Sequence, residues 1–215
     1  MGILYAGNWR WAETPRAVAW VQYTSNFAKY PYACTHSQTW PCERWPTLAN
    51  GLSVTRHYGI ASGVTQMPTG TGGTRDVSGD VRFMFNQFND VAASNPFFYE
   101  TTYSAADVKV FSFVDCTAVA RAWGRHSDGD HYYDWGEVKL STCSNLWGSS
   151  DATRGTLCHE IDHLMGLNHV WWDDNDGNGI DNVGSKATCI GMGSPSGPRI
   201  DDVSALDAVY SGVVP

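Results

Sequence analysis

The residues with the clearest potential for chemistry form one short run, C-H-E-I-D-H-L-M-G-L-N-H. It places His159, Glu160, His163, Gly166 and His169 in the spacing H-E-x-x-H-x-x-G-x-x-H. Side chains four residues apart in an α-helix project from the same face, so His159 and His163 can both reach one ion at about 2.0–2.1 Å. The spacing therefore predicts a helix that supplies two zinc ligands.

Gly166 and His169 complete the predicted site. Glycine readily adopts the left-handed conformation that ends a helix, so the chain can turn at Gly166 and bring His169 round as the third ligand. Three neutral imidazoles leave one coordination position open for a water, whose pKa zinc lowers toward about 7. Glu160 lies next to a ligand without being one, which suits a general base that takes a proton from this water and passes it to the leaving amine.

A plainer explanation is that the histidines only fill a helix surface, or that the zinc is structural. Five fixed positions arise by chance with a probability on the order of one in 10⁵ at average residue frequencies. A structural zinc site usually recruits cysteines or a fourth protein ligand, and it has no use for a carboxylate beside the first histidine. The pattern therefore favours a catalytic zinc.

The segment C-I-G-M-G-S-P, residues 189–195, forms a second motif and contains Met192. Together with the long histidine motif it resembles the metzincins, a group of zinc proteases in which the histidines are followed by a Met-turn. The resemblance implies that Met192 lies beneath the metal without binding it. The alternative is a buried methionine that only fills the core.

Among the metzincins, the chain is most similar to the matrixins, the matrix metalloproteinase type. Residues 106–110, A-D-V-K-V, resemble one of their strands, and residues 201–210 resemble their closing helix. The likeness spans about Ser78 to Gly212 and does not cover residues 24–76. It implies that Glu137 to Ser141 is the edge strand that pairs with an extended substrate. It also implies a pocket between His169 and Pro198 for the side chain after the cut.

An acidic stretch after the histidine motif alternates oxygen-bearing side chains and resembles the first half of an EF-hand loop. Ser185 stands at position twelve in place of the bidentate glutamate, so an acidic turn without metal is the alternative. We predict one structural calcium at this loop. Its ligands would be Asp174, Asp176, Asn178, the Ile180 carbonyl and Asp181.

A further polar segment contains His126 and Asp128, with His131 nearby. The first two resemble the start of the matrixins' structural zinc site. The later histidines of that site are missing, so a solvated polar loop is the favoured interpretation, and a second zinc remains an open alternative.

Composition and charge narrow the class of protein. With 42% hydrophobic and 17% charged residues among 215, the chain is not a disordered one, and no apolar run is long enough to cross a bilayer. A net charge of −8 argues against nucleic acid as a partner, because nucleic-acid binders cluster Lys and Arg. We expect a monomer whose partner is a protein or peptide substrate.

Six cysteines in a chain rich in glycine and aromatic residues fit an oxidising compartment, so we expect a secreted protein. A cytosolic protein with buried thiols is the alternative. The first residues lack the apolar segment of a signal peptide, as expected of a mature form. Six cysteines permit fifteen pairings. The set we predict is Cys34 with Cys42, Cys116 with Cys143, and Cys158 with Cys189.

Hydrophobic periodicity predicts the elements that position these motifs. Strands are expected at residues 17–23, 97–102, 107–113 and 137–141, and helices at 78–92, at about 151–165 and from about 201. Ser78 is expected to cap the first helix. In the helix of the histidine motif, the core side should consist of Leu157, Ile161 and Leu164. The last helix should place Val203, Leu206 and Val209 on one face. The pattern of residues 24–76 predicts loops and short strands, and the sequence does not disclose their role.

We therefore predict an α+β metzincin fold in a single catalytic domain over residues 1–215, with a twisted, mostly parallel sheet backed by two helices. Residues 1–169 would form the N-terminal subdomain, with an insertion at about 24–76. Residues 170–215 would form a smaller C-terminal subdomain with the Met-turn and the final helix.

The predicted function is that of a secreted zinc endopeptidase, and two rivals remain. One is a zinc hydrolase of a non-protein amide such as a cell-wall linkage. The other is a non-catalytic, calcium-dependent binding module on the same fold, which would have no need of Glu160.

Overall fold

A computed structural model describes residues 45–46, 55–90, 96–125, 133–167, 189, 197–198, 202–203, 206 and 210. The strands are β1 (Thr55–Ile60), β2 (Met67–Pro68), β3 (Thr74–Arg75), β4 (Phe97–Glu100), β5 (Val108–Phe113), β6 (Ala120–Arg125) and β7 (Trp135–Ser141). The α-helices are α1 (Ser78–Asn89) and α2 (Ser150–Leu164), with short 3-10 helices at Ser62–Gln66 and Tyr103–Ala105. No helix in these ranges is long and apolar enough to span a membrane.

The main sheet has the strand order β4-β1-β5-β7-β6. Neighbouring strands are parallel from β4 through β7, and β6 is antiparallel to β7. Side chains of β7 and α2 belong to one buried core: Val138, Leu140, Leu157, Ile161 and Leu164. The prediction of an α+β fold with a mostly parallel sheet backed by two helices is confirmed, as is the predicted core side of the helix of the histidine motif.

The edge of the sheet beside α2 differs from the prediction. Glu137–Ser141 lies inside the sheet as part of β7, which is bonded to both β5 and β6, so its prediction as the edge strand is wrong. Among the strands that the structure describes, the edge strand on this side is β6, with the sequence A-R-A-W-G-R. The residues of β6 that face the helices are all small, namely Ala120, Ala122 and Gly124. A side chain at Gly124 would collide with the Tyr133 ring. A strand whose buried positions are small lacks the apolar alternation by which strands are recognised.

The sheet begins inside the range predicted as an insertion. β1 lies between β4 and β5 and pairs in parallel with both. Residues 24–76 therefore contain a central strand in addition to short elements. The strand predicted at 17–23 lies outside the described residues, and the division into two subdomains remains a prediction.

The helix α1 has the apolar period that the sequence indicates, but a different cap. Asp76 Oδ1 accepts a hydrogen bond from the backbone N–H of Ser78 at 2.8 Å, and bonds from Ser78 lower the pKa of Asp76. Ser78 is the first helical residue, so its prediction as the cap is wrong. The buried side of α1 is formed by Val81, Met84, Phe85 and Phe88. The predicted continuation through Val91 and Ala92 lies outside the described residues.

The start of α2, the helix of the histidine motif, is fixed against α1. The Ser149 hydroxyl accepts from the backbone N–H of Ala152 at 3.2 Å, a hydrogen bond typical of an N-cap. Asp80 in the first turn of α1 is only 4% exposed, and its carboxylate receives Arg154 Nε at 2.8 Å and the Arg75 guanidinium. The salt bridge between Asp80 and Arg154 therefore joins the start of α1 to the N-terminal part of α2.

The end of α2 is held by Trp45, a residue from the stretch whose role the sequence left open. Trp45 is fully buried, and its Nε1 donates to the Leu164 carbonyl at 3.0 Å. Its ring packs edge-on against Phe98 and Tyr133. Gly136 leaves the space for it, because a Cβ there would collide with Leu164 and crowd Trp45.

Replacing Trp45 should destabilise the fold through this contact. Trp45→Phe is expected to lower the free energy of unfolding by about 1–3 kcal/mol, because the Leu164 carbonyl loses a buried donor. Trp45→Ala is expected to lower it by about 3–5 kcal/mol. The control is Trp135→Phe, whose side chain is 42% exposed and for which a change within about 0.5 kcal/mol is expected. Denaturant titration measures all three, and equal effects of the two Trp→Phe changes would contradict the assignment.

Two of the three predicted disulfides are confirmed. Cys116 is bonded to Cys143, and Cys158 is bonded to Cys189. The first joins the segment after β5 to the segment after β7, and the second ties the helix of the histidine motif to the segment of the predicted Met-turn. Cys34 and Cys42 lie outside the described residues.

The last described residues contribute a helical face to the core. Asp202, Leu206 and Tyr210 are helical, four residues apart and buried. The predicted face was Val203, Leu206 and Val209. Of these, Leu206 is confirmed and Val203 is only partly buried, whereas Val209 lies outside the described residues.

Candidate metal centre

The two histidines of α2 face each other one helical turn apart. His159 Nε2 and His163 Nε2 are 3.1 Å apart, and the ring planes are nearly perpendicular at 88°. Both side chains are partly buried. The predicted convergence of these two side chains from one helix face is therefore present.

The second nitrogen of each ring is held by a backbone carbonyl. His159 Nδ1 lies 3.2 Å from the Cys189 oxygen, and His163 Nδ1 lies 2.8 Å from the Leu167 oxygen. A carbonyl can only accept, so each Nδ1 carries the proton and each Nε2 presents a lone pair. Metal-bound histidines are typically oriented in this way.

This arrangement fits a zinc ion. Two lone pairs that face each other at 3.1 Å repel unless a cation lies between them. Two nitrogens at 2.0–2.1 Å from zinc, separated by a tetrahedral angle, would be about 3.3 Å apart. The observed separation is close to that value, so His159 and His163 have both the protonation and the spacing of a zinc-ligand pair.

The turn after α2 has the geometry that the sequence predicts for Gly166. Its φ is +95°, in the left-handed region that favours glycine. Gly166 N–H donates to the His163 carbonyl at 3.0 Å, and Leu167 N–H donates to the Asp162 carbonyl at 2.9 Å. This pair of bonds is the Schellman motif, which ends the helix and reverses the chain. The same turn places the Leu167 carbonyl against His163.

Glu160 follows His159 in α2 and is bonded to the edge strand β6. Its side chain is 7% exposed, and burial raises its pKa to about 8. Two features oppose that shift: a hydrogen bond from the backbone N–H of Ala122 in β6, and the charge of Arg121. A cation between the histidines would favour the ionised form further. Glu160 is thus a buried carboxyl that can take up and return a proton near neutral pH.

Two buried carboxyl groups, those of Asp162 and Asp202, lie close to the histidine pair in the chain of contacts through Cys189. Asp162 is fully buried and neither of its oxygens has a donor among the described residues, while Asp202 accepts from the Cys189 N–H at 3.0 Å. Burial, and then the charge and hydrogen bond of Asp202, raise the pKa of Asp162 well above its usual range. Asp162 therefore keeps its proton and donates it to Asp202. Asp202 in turn holds Cys189, whose carbonyl orients His159.

Cys158, Cys189 and Asp162 also lie close enough together to suggest a metal site, with their candidate ligand atoms within 4.8 Å of one another. Cysteine binds metals as the thiolate. Because Cys158 and Cys189 form a disulfide, this trio has no thiolate to offer.

Stability should respond to pH through Asp162. Its pKa is raised in the folded state above the value of about 3.9 in the unfolded chain, so the folded state binds more protons. The stability contributed by this proton is present at low pH and is lost as pH rises toward the raised pKa. Asp162→Asn cannot ionise, yet its amide can donate to Asp202.

The melting temperature of Asp162→Asn relative to wild type should therefore increase as pH rises from about 4 to 8. Differential scanning calorimetry of zinc-loaded protein checks this. A variant that is equally destabilised at every pH would contradict the assignment of the proton to Asp162.

Several predicted site residues lie outside the described residues: His169, Met192, the calcium loop at 174–181, and His126 and Asp128. Their roles remain predictions. Sequence reasoning missed three contributors, namely Ala122, Asp162 and Asp202. A signal for Asp162 was present, because it lies four residues after Cys158 on the same helix face, where an acidic residue would be buried.

Comparison with known proteins gives a distant likeness. No protein-family model matches the chain, and no curated protein matches it. Among solved structures, it is similar to high choriolytic enzyme 1, a hatching enzyme zinc-protease from Oryzias latipes (medaka fish), with 15% identity, a TM-score of 0.41 and coverage of 79% of this chain and 94% of that chain. It is also similar to myroilysin, with 14% identity, a TM-score of 0.44 and coverage of 78% and 95%. At these values the chemistry must be inferred from the chain's own residues.

Proposed function

We propose that this chain is a secreted zinc-dependent endopeptidase of the metzincin kind. The observation that carries the proposal is that one helix brings the Nε2 atoms of His159 and His163 to 3.1 Å from each other and also bonds its buried Glu160 to the backbone N–H of Ala122. Ala122 lies in β6, which is the edge strand among the strands that the structure describes. A metal centre beside an open strand edge suits cleavage of an extended chain.

His159 and His163 would hold the zinc, with His169 as the proposed third ligand. When bound, zinc would supply Lewis acid chemistry, polarising a carbonyl and making a bound water more acidic. Cys189 and Leu167 orient the two rings through their carbonyls. Met192 beneath the metal and the pocket between His169 and Pro198 complete the proposal by resemblance.

Glu160 would act as general base and then as general acid. Its carboxylate accepts a proton from the attacking water and delivers it to the amide nitrogen that leaves. Burial restricts access of bulk water to this carboxylate, and the N–H of Ala122 orients it. A carboxyl whose pKa lies near neutrality is well matched to both steps.

The free edge of β6 would bind the substrate. The carbonyls of Val119 and Arg125 accept hydrogen bonds from the segment of β7, namely from Ser141 and Asp134. Backbone groups alternate in direction along a strand, so those of Ala120, Ala122 and Gly124 point the other way, toward the side of Glu160. An extended peptide can add to this edge as a further strand, which favours peptides over small amides.

The opposite edge of the sheet is partly closed. Asn89 at the end of α1 bonds to both backbone groups of Phe98 in β4, at 2.8 and 2.9 Å. A peptide therefore cannot pair with β4 at that residue. At β6 the N–H of Ala122 is likewise occupied, by Glu160, so a substrate strand there would pair through the backbone groups of Ala120 and Gly124 and the carbonyl of Ala122.

Secretion and calcium binding belong to the same proposal. The disulfides Cys116–Cys143 and Cys158–Cys189 fit an oxidising compartment.

A calcium ion held by the loop at residues 174–181 would stabilise the folded state by mass action. Calcium added to zinc-loaded protein should then raise the melting temperature without changing the zinc content.

A comparison of substrates tests the proposed reaction. Zinc-loaded protein is incubated with casein, with a peptide library and with cell-wall fragments that contain non-protein amides, and mass spectrometry locates the cuts. We expect internal cuts in the protein and peptides. Hydrolysis confined to the cell-wall amides would assign the site to another substrate class. Zinc binding without hydrolysis of any of them would favour a binding module.

A further inference from the structure

The edge strand β6 presents three large side chains on the outer face of the sheet, the face opposite the helices. They are Arg121, Trp123 and Arg125, whose partners across the strand pair are Lys139, Glu137 and Trp135 of β7. The intervening residues of β6 are small and face the helices. The outer face beside the free edge is therefore both aromatic and rich in positive charge.

Most of the cations near this edge are matched by carboxylates. Arg121 Nε lies 2.9 Å from Asp115, and Lys139 Nζ lies 3.0 Å from Glu137. Arg125 differs. Its guanidinium lies 5.1 Å from the centre of the Trp123 ring, and no carboxylate of the described residues forms a salt bridge with it.

Arg125 is exposed, and its guanidinium lies against the Trp123 ring. Lys139 Nζ lies 4.5 Å from the Trp123 ring, so the ring has a second cation close to it. Stacking on an aromatic ring restrains a guanidinium without neutralising it. In a chain with a net charge of −8, an exposed positive charge that no described carboxylate pairs with, at the edge of the proposed cleft, is a feature that an acidic ligand group can use.

A substrate strand on this edge would bring alternate side chains next to Arg125. Antiparallel pairing is the more stable arrangement. Arg125 directs its backbone carbonyl toward the segment of β7, so a residue opposite it would form a non-hydrogen-bonded pair, with Cα atoms about 4.5 Å apart and side chains close. That side chain would lie on the outer face, beside the guanidinium.

We infer that Arg125 is a specificity-determining residue that selects an acidic side chain in the substrate. The position is on the N-terminal side of the cut. A substrate strand antiparallel to β6 meets Arg125 first and Ala122 three residues later. Because Glu160 is bonded to Ala122, the substrate residue opposite Arg125 comes before the bond that would be cut. The inference rests on the proposed function, because it requires a peptide on the edge of β6, and it narrows the substrate class to peptides with Asp or Glu at that position.

Cleavage profiling of zinc-loaded protein on a peptide library provides the test. Asp and Glu should be enriched at one position on the N-terminal side of the cut. Matched peptides with Glu, Gln or Lys at that position then give ratios of kcat/KM within each protein. For wild type, Glu over Gln should be about two- to fivefold, the effect of one opposite-charge cross-strand pair. The ratio should fall toward one at about 0.5 M salt, because the pair is exposed.

Variants assign the effect to one residue. Arg125→Gln should bring the ratio to about one, and Arg125→Glu should favour the Lys peptide. Lys109→Gln is the matched control, since it removes a positive charge from the outer face of β5, two strands away from the edge, and should keep the wild-type ratio. Zinc content and melting temperature confirm that each variant is folded.

The outcomes separate this inference from the function on which it rests. If zinc-loaded wild type cleaves no peptide, the proposed endopeptidase is wrong. If it cleaves peptides but the Glu preference survives in Arg125→Gln, or acidic residues are enriched only after the cut, Arg125 does not select the substrate although the endopeptidase stands.

Discussion

Replacing Glu160 by Gln should lower peptide turnover by about 10²- to 10⁴-fold while leaving zinc bound. The amide has nearly the same size, and its oxygen can still accept from the N–H of Ala122. It cannot take a proton from the attacking water. Because burial disfavours the charged carboxylate at this position, the neutral amide should not lower the melting temperature.

Turnover, zinc content and melting temperature should be measured together on this variant. Glu100→Gln is the matched control, because Glu100 lies in β4, at the other end of the described sheet, where its carboxylate pairs with Arg82 of α1. It should leave turnover close to the wild-type rate. Near-normal cleavage by pure Glu160→Gln would show that another group provides the base.

Replacing His163 by Ala should abolish stoichiometric zinc binding and, with it, activity. The change removes one of two converging Nε2 atoms, so the metal would lose a strong ligand. The folded state should also lose the stabilisation that bound zinc supplies by mass action. We expect metal analysis after mild chelation to find far less than the roughly one zinc per chain held by wild type, and zinc should no longer raise the melting temperature.

The control for the histidine change is His57→Ala. His57 lies on β1, where its side chain is 49% exposed and Nδ1 is 3.5 Å from Asp107. This variant should hold zinc as wild type does. Full zinc retention by His163→Ala would mean that the zinc is bound at another site.

Much of the centre could be predicted because its information is local. The spacing of His159 and His163 on one helical turn determines their convergence, whatever the rest of the fold. The left-handed turn at Gly166 also follows from residue type and position, and its φ of +95° agrees. The two confirmed disulfides each join segments that the fold brings together, the first after β5 and after β7, the second the histidine helix and the segment of the predicted Met-turn.

The features that could not be predicted depend on tertiary contact. The strand β6 was missed because its inner residues are small, and their size is dictated by Tyr133 and by the helix beneath. Trp45 caps a carbonyl of Leu164 that is distant in sequence, which no local pattern encodes. Asp162 and Asp202 interact only because the fold brings them together, so the helix position of Asp162 indicates its burial, but no sequence pattern identifies Asp202 as its partner.

The most direct test of the proposed zinc endopeptidase is a zinc titration of the metal-free protein with an internally quenched peptide as substrate. Cleavage should be absent at first, rise with added zinc and level off at about one zinc per chain. Mass spectrometry should locate the cut at an internal peptide bond. Glu160→Gln should bind the same amount of zinc without cleaving. Cleavage at full rate before any zinc is added, or equal cleavage by Glu160→Gln, would contradict the account.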